Sequence, residues 1–267
     1  MKKFFLLLII ILTVSGCGSS GSDDKAVLKT GTLTQLNSTP EQAAKYAGDE
    51  ALNFYDDFNT MQMALQSKQI DRMHTYQSVA KYLTKNNSDF VASEDQTVRL
   101  VDNFCCAMRD GEVDLRNSFN AAIDAMKADG TLAALTEQYI NNPTLTPLAV
   151  EMPVIENAEV IKVGITGDLP PLDLVLADGT PAGFNTAVLA EISRRIGKNI
   201  ELVQISSAAR AAALTSGQVD VIFWVVVPEG NDNRPKDFDT PAGVAVTESY
   251  YQDTVVSVNL STLGAGF

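Results

Sequence analysis

The sequence is poor in the residues that metal and nucleic-acid chemistry require. One histidine, three cysteines and one tryptophan occur in 267 residues, and aromatics make up 7%. With so few nitrogen and sulfur donors, no metal-ligand set is expected and no cofactor is implied; a structural zinc alone takes four. Lys and Arg number 20 against 33 Asp and Glu, for a net charge of −13. The basic residues form no cluster of the kind that displaces phosphate counterions. Neither nucleic acid nor a direct grip on anionic lipid is expected. The apolar run Phe4 to Leu12 falls short of the roughly 20 residues a spanning helix needs. What is present is 45% hydrophobic residues, in a length that suits one large domain or two lobes of roughly 100–200 residues each.

Residues 1–16 read as a targeting segment. Lys2 and Lys3 precede the apolar run, and small residues follow it. "VSGC", Val14 to Cys17, resembles the lipobox of bacterial lipoproteins. That resemblance implies cleavage before Cys17 and a diacylglyceryl group on its sulfur. More than one acyl chain holds stably where a single chain binds marginally. The alternative is an ordinary secretory peptide with an incidental Cys17. Cleavage would remove Lys2 and Lys3 and no acid, leaving the mature chain more acidic still. Residues 17–26 then read as a flexible Gly/Ser tether. The expected place is the cell envelope, lipid-anchored on the outer face of the cytoplasmic membrane, or the periplasm. Cys105 and Cys106 are adjacent, so on a strand they face opposite ways, and a bridge between them would be strained. They are expected to be small buried hydrophobes.

Beyond the tether the chain alternates strand and helix signals. "AVLKTGTLTQLNSTPEQAAKYAG" gives a short strand and then a helix start. Thr39 is a candidate N-cap, with Pro40 at the first helical position and Gln42 completing a capping box. Asn37, Ser38 and Thr39 lie at this turn, where free N–H groups either cap the helix or hold an anion. "ALNFYD" and "QIDRMHTY" are strands. Phe58, Met61 and Leu65 make an apolar helix stripe, and "QSVAKYLTKN" is a second helix. "TVRLVDNFCCAMR" is another strand, and two helices broken at Gly130 follow. Residues 143–158, with Pro143, Pro147 and Pro153, read as a linker. A second run then opens with "VIKVGIT", turns at Asp178-Gly179, and forms a helix ending near Gly197. It closes with the strand "NIELVQI", the helix "SAARAAALTSGQ", the buried strand "VDVIFWVVV" and the strand "YYQDTVVSVNL". This order argues for open, mostly parallel sheets.

The second run resembles lobe 1 of the bacterial extracellular solute-binding proteins of family 3. The resemblance rests on "KVGITGDLPPL", "DGTPAGFNTAVLAEISRRIGKNIELV", "AARAAALTSGQVDVIF" and "ESYYQDTVVSV". The first run resembles lobe 2, through "TLTQLNSTPEQAAKY" and "FNTMQMALQSKQIDRMHTYQSVAKYL". "KADGTLAALTEQYI" looks like the closing helices that return to lobe 1. The implied fold is the α/β, type II periplasmic-binding-protein architecture, two lobes with a cleft between them. The implied divisions are 27–108 lobe 2-like, 109–142 closing helices, 143–158 linker and 159–267 lobe 1-like. That order is a circular permutation of the family's, cut in the strand that normally leads from lobe 1 into lobe 2. Termini that lie close on one lobe make such joining easy, and an extended linker would reach about 50 Å. The competing explanation is a fragment spanning two tandem binding proteins, whose lobes pair between chains.

The resemblance implies a small-molecule ligand, an amino acid or related small acid, and an ABC transporter permease as partner. Its carboxylate-clamping arginine maps to Arg234, in a segment whose spacing departs from the family's. Arg210, in a first helical turn facing the cleft, either binds an anionic group or runs along its helix. The family's lobe 2 acid maps to Tyr76, so that charge is missing. Thr166 stands where some members have Asp, and Leu169 and Leu172 where aromatics are common. Trp224 either stacks on a flat ligand or fills core. Together with Ser38 and Thr39 these are the candidate ligand residues; no catalytic residue is implied. An enzyme of the cyclohexadienyl-dehydratase type on the same scaffold, and a sensor or interaction lipoprotein, are the other two function classes.

Overall fold

A computed structural model describes residues 27–36, 39–45, 47–93, 100–230 and 240–261. The first part of the chain gives β1 (Lys29–Leu33), α1 (Pro40–Ala44), β2 (Ala51–Tyr55), α2 (Phe58–Gln66), β3 (Arg72–Tyr76), α3 (Gln77–Asn86) and β4 (Phe90–Ser93). Thr39 caps α1 by accepting the Gln42 N–H at 3.2 Å, and Asp57 caps α2 through Thr60. Phe58, Met61, Ala64 and Leu65 are the buried stripe of α2.

Next come β5 (Val101–Arg109), α4 (Val113–Ala128) and α5 (Thr131–Thr136), with a π-helical turn, Glu137–Asn141, continuing α5. Gly130 separates the two helices at φ +82°. Residues 143–158 contain no helix or strand. The second part of the chain gives β6 (Val160–Ile165), the three short strands β7 (Asp168–Leu169), β8 (Asp173–Val175) and β9 (Pro181–Ala182), and α6 (Phe184–Ile196). It continues with β10 (Asn199–Gln204), α7 (Arg210–Thr215), β11 (Val221–Pro228), β12 (Val244–Val246) and β13 (Tyr251–Leu260).

The main sheet runs β10-β6-β11-β5-β13-β3-β1-β2, with β12 on β5 and β4 on β13. Pairing is parallel on both flanks, between β1, β2 and β3 on one side and β6, β10 and β11 on the other. The centre differs from the sequence expectation of a mostly parallel sheet. There β5 is antiparallel to β11 and β13, and β13 is antiparallel to β3 and β4. The reason is connectivity: β5 leaves the β1–β4 half for the β6–β11 half, and β13 runs the other way beside it.

Strand β5 shows how its pleat divides the core. Phe104, Cys106 and Met108 face one apolar cluster, and Cys105 and Ala107 face another. The thiols are free, and burial drives both of them up, Cys105 to about 12. Helices α4 and α5 pack on α6, and Arg195 of α6 donates to Asp129 at the turn between them.

One turn requires glycine. Gly183 precedes α6 at φ +96°, and a Cβ there would sit 2.7 Å from the Pro171 carbonyl oxygen and 2.9 Å from that of Leu172. Those are backbone atoms and cannot swing aside. Gly183→Ala is expected to cost about 3 kcal/mol, the upper range for a residue forced into such backbone space. Urea denaturation measures it, and a loss below about 1 kcal/mol would contradict this reading of the turn.

Candidate functional site

Ligands of open α/β sheets sit beyond the C-terminal ends of the strands. In this protein the strand ends of the two halves meet one another. Among the described residues, three hydrogen bonds join those strand ends. Arg210 Nη2 donates to the Thr34 carbonyl at 2.9 Å, just past β1. The Phe58 N–H, at the start of α2, donates to Asp168 Oδ2 at 2.5 Å. The Ser207 N–H donates to the Asp56 carbonyl at 3.2 Å.

Arg210 is the centre of this arrangement. It is 0% exposed and opens α7. Its guanidinium also donates to the Trp224 carbonyl at 2.8 Å and the Ser207 carbonyl at 3.3 Å. It lies 5.0 Å from the centroid of the Trp224 ring, a cation–π distance. All three acceptors are backbone carbonyls; no carboxylate forms an ion pair with it among the described residues. Burial lowers its pKa to about 10, against the pull of Tyr76, Asp173 and Asp168. It therefore stays charged at neutral pH, buried without a counter-ion at contact distance.

Trp224 reaches this place through a β-bulge. Phe223 pairs with Cys106 and Val225 with Cys105, so Trp224 is the extra residue on β11. A bulge re-aims a side chain. Here it puts Phe223 and Trp224, neighbours in sequence, into the same apolar cluster. The Trp224 ring is fully buried, edge-on to Tyr76 at 6.1 Å and tilted against Phe104 at 5.5 Å. Its Nε1 has no hydrogen-bond partner.

The acids of the site were not singled out in the sequence. Asp173 is fully buried. Its Oδ2 accepts from the N–H groups of Thr166 and Gly167 and from Thr166 Oγ1, each at 3.1 Å, while Oδ1 has no partner. Burial raises Asp173 from the usual carboxylate value near 3.8 to about 6, and also raises Asp168. The folded state thus holds the Asp173 proton more tightly than the unfolded chain does. Its contribution to stability is full below about pH 4 and is lost as pH rises through about 6, on the order of 2–3 kcal/mol. Urea denaturation at pH 4.5 and pH 7 is expected to show this fall in the wild type and a flatter profile in Asp173→Asn. Equal slopes in the two proteins would contradict it.

Of the residues singled out in sequence, Arg210, Trp224, Tyr76 and Thr166 converge on this buried cluster. Leu169 is fully buried in the main apolar cluster beside it. Tyr76 donates through its hydroxyl to Asp102 Oδ2 at 3.3 Å. A buried carboxyl group, Asp102 on β5, thus lies next to Tyr76. Thr39 is exposed and caps α1. Ser38, Arg234 and Cys17 lie outside the described residues. Among the described residues no group of three or more His, Cys, Asp or Glu is arranged to hold a metal, and no helix is long and apolar enough to cross a membrane.

Comparison with known proteins gives one family match. Residues 57–142 and 161–254 match the bacterial extracellular solute-binding proteins, family 3. No curated protein sequence matches the chain. Among solved structures, a ligand-binding component of an ABC-type import system from Staphylococcus aureus, with zinc bound, aligns at TM-score 0.44 and 14% identity over 87% of this chain and 66% of that one. The ancestral amino acid-binding protein AncCDT-1, a precursor of cyclohexadienyl dehydratase, aligns at TM-score 0.42 and 10% identity, over 90% and 84% of the two chains. The probable amino-acid ABC transporter extracellular-binding protein YtmK from Bacillus subtilis aligns at TM-score 0.40 and 10% identity, over 90% and 86%. The family match, spanning more than half of the chain, carries the assignment.

Proposed function

The chain belongs to the bacterial extracellular solute-binding proteins of family 3, and we propose that it takes up one small polar solute, an amino acid or related small acid, by closing its two halves over it. The observation that carries the reading is Arg210, a buried cation that donates to carbonyls of both halves and lies over the Trp224 ring, with no carboxylate at ion-pair distance among the described residues. A carboxylate-bearing solute supplies the missing counter-ion in a bidentate geometry. Trp224 Nε1 offers a further donor to the same guest, and Asp173 Oδ1 an acceptor for an ammonium. Contacts made only when the halves meet shift the population toward the closed form.

The role we propose for that closed form is delivery to an ABC transporter permease, with the protein held at the envelope by lipid on Cys17. The chain order is proposed to be a permutation of the family's, with 27–108 as lobe 2, 109–142 as closing helices, 143–158 as linker and 159–267 as lobe 1. Supporting it, β5 and β13 cross between the halves in opposite senses, and β13, at the end of the chain, pairs with β3 and β4 near its beginning.

Thermal-shift screening against amino acids and small carboxylic acids tests the binding role. A true solute at a hundred times its Kd adds roughly 2.7 kcal/mol of stability. Absence of a shift with every member of the panel would count against it. A second reading, a dehydratase-type enzyme, draws on Asp173, a buried carboxyl whose pKa near 6 suits proton transfer. Turnover of a cyclohexadienyl acid that is lost in Asp173→Asn would favour that reading over binding alone.

A further inference from the structure

We propose that residues 143–158 form a strap that fastens the two halves together and sets how readily the cleft opens. The segment is tied at both ends, to different halves. At one end, Tyr82 Oη donates to the Leu145 carbonyl at 2.8 Å, and Lys85 Nζ donates to the Pro143 carbonyl at 2.5 Å. Both side chains come from one face of α3, three residues apart, and α3 packs on β3, β4 and β13.

At the other end the strap belongs to the β6–β11 half. The Val150 N–H donates to the Pro181 carbonyl at 2.9 Å, and the Gly183 N–H donates to the Leu148 carbonyl at 3.1 Å. Val150 is buried with Ala187 and Ala190 of α6, and Leu135, Tyr139 and Met152 pack around them. Farther on, Asn199 accepts the Ile155 N–H at 2.8 Å and donates to its carbonyl at 2.9 Å.

The two attachments differ in kind. The β6–β11 end has apolar packing and backbone bonds. The α3 end has two side chains reaching carbonyls, beside a narrow crevice lined by Gln138, Tyr139, Pro143, Pro147, Leu148 and Pro171. When the halves part, the α3 contacts are the ones that release, because they lie at the wet surface and displace no buried core. The strap is thus a catch: closed, it adds two bonds across the gap that no solute provides, and it holds the solute-free protein shut. Strands β5 and β13 supply the hinge on which it acts.

Amide hydrogen exchange on the full chain without solute tests the catch. The Phe58 and Ser207 amides donate across the cleft, so they exchange when the halves separate. In a Tyr82→Phe, Lys85→Met double variant both amides are expected to exchange at least tenfold faster. The β5 amides from Phe104 to Met108 are expected to stay at the wild-type rate, and Lys85→Arg, which keeps the donor, is expected to resemble the wild type. Wild-type exchange at Phe58 and Ser207 in the double variant would overturn the proposal. So would equal acceleration in β5, which reports general loss of stability.

Discussion

Replacing Arg210 with methionine is expected to leave the solute-free protein about as stable as the parent and to weaken solute binding by a hundredfold or more. Two effects compete in the empty protein. Removing a buried charge relieves its desolvation penalty, and filling the space with an apolar chain of similar length is often neutral or stabilising. Against this, the Thr34, Ser207 and Trp224 carbonyls lose their donor, at about 1–3 kcal/mol for each buried acceptor left unmade. The two nearly cancel, so melting is expected to move by only a few degrees. In the complex nothing cancels: the solute's anionic group is left buried and unpaired. A hundredfold loss corresponds to about 2.7 kcal/mol. Calorimetric titration with a solute found by screening reads the affinity, and thermal melting reads the fold. If Arg210→Met melts far below the parent yet binds as well, Arg210 is a structural tie and the binding assignment fails.

Phe104→Ala is expected to be the most destabilising single change at the site, at about 3–5 kcal/mol. Phe104 lies on β5, one of the two crossing strands, and is 0% exposed. Its ring meets Tyr76 at 4.7 Å, Trp224 at 5.5 Å, Tyr251 at 5.5 Å and Tyr250 at 6.4 Å. Those partners come from the end of β3, the bulge of β11 and the start of β13. Truncation leaves a cavity where both halves and the crossing strands meet, so the loss includes ring contacts worth about 0.5–1.5 kcal/mol each beyond their area. Denaturation midpoints measure the change. A loss under about 1 kcal/mol would mean that the rings are not packed as described.

Much of the fold was legible because local rules agreed with tertiary need. The α3 helix runs over the residues its pattern marked, Gly130 breaks α4 from α5, and Gly197 ends α6 at φ +67°. The hairpin turn contains Gly179 at φ +84°. Among the strands that were missed, β4 and β12 are short and carry no alternation of their own. β4 exposes three of its four residues, and each exists only by pairing with a strand far away in the chain. Strand direction was misjudged at the centre for a related reason: the alternation of strand and helix does not say which strands cross between halves.

The site was legible only in part. Arg210 and Trp224 stand out by residue type, but a bulge decides where the Trp224 ring points, and nothing in "VDVIFWVVV" marks one. Asp168 and Asp173 read as polar loop residues. The burial of Asp173 follows from its place in the β7-β8-β9 sheet, and Asp168 is half-buried where α2 of the opposite half meets it. The position of Tyr76 says nothing of the acids, Asp102 and Asp173, that the fold brings to that neighbourhood from other elements. Such gatherings of side chains from separate elements have no trace in any one stretch of sequence.

The most direct test uses the protein's one tryptophan. Trp224 lies where the two halves close on each other, with Arg210 over its ring and Tyr76 at its edge. Fluorescence of the full chain should show blue-shifted emission that resists acrylamide quenching and changes saturably with an added carboxylate-bearing solute. Emission like that of tryptophan in water, freely quenched and indifferent to any solute, would mean that the two halves do not clasp over a common groove.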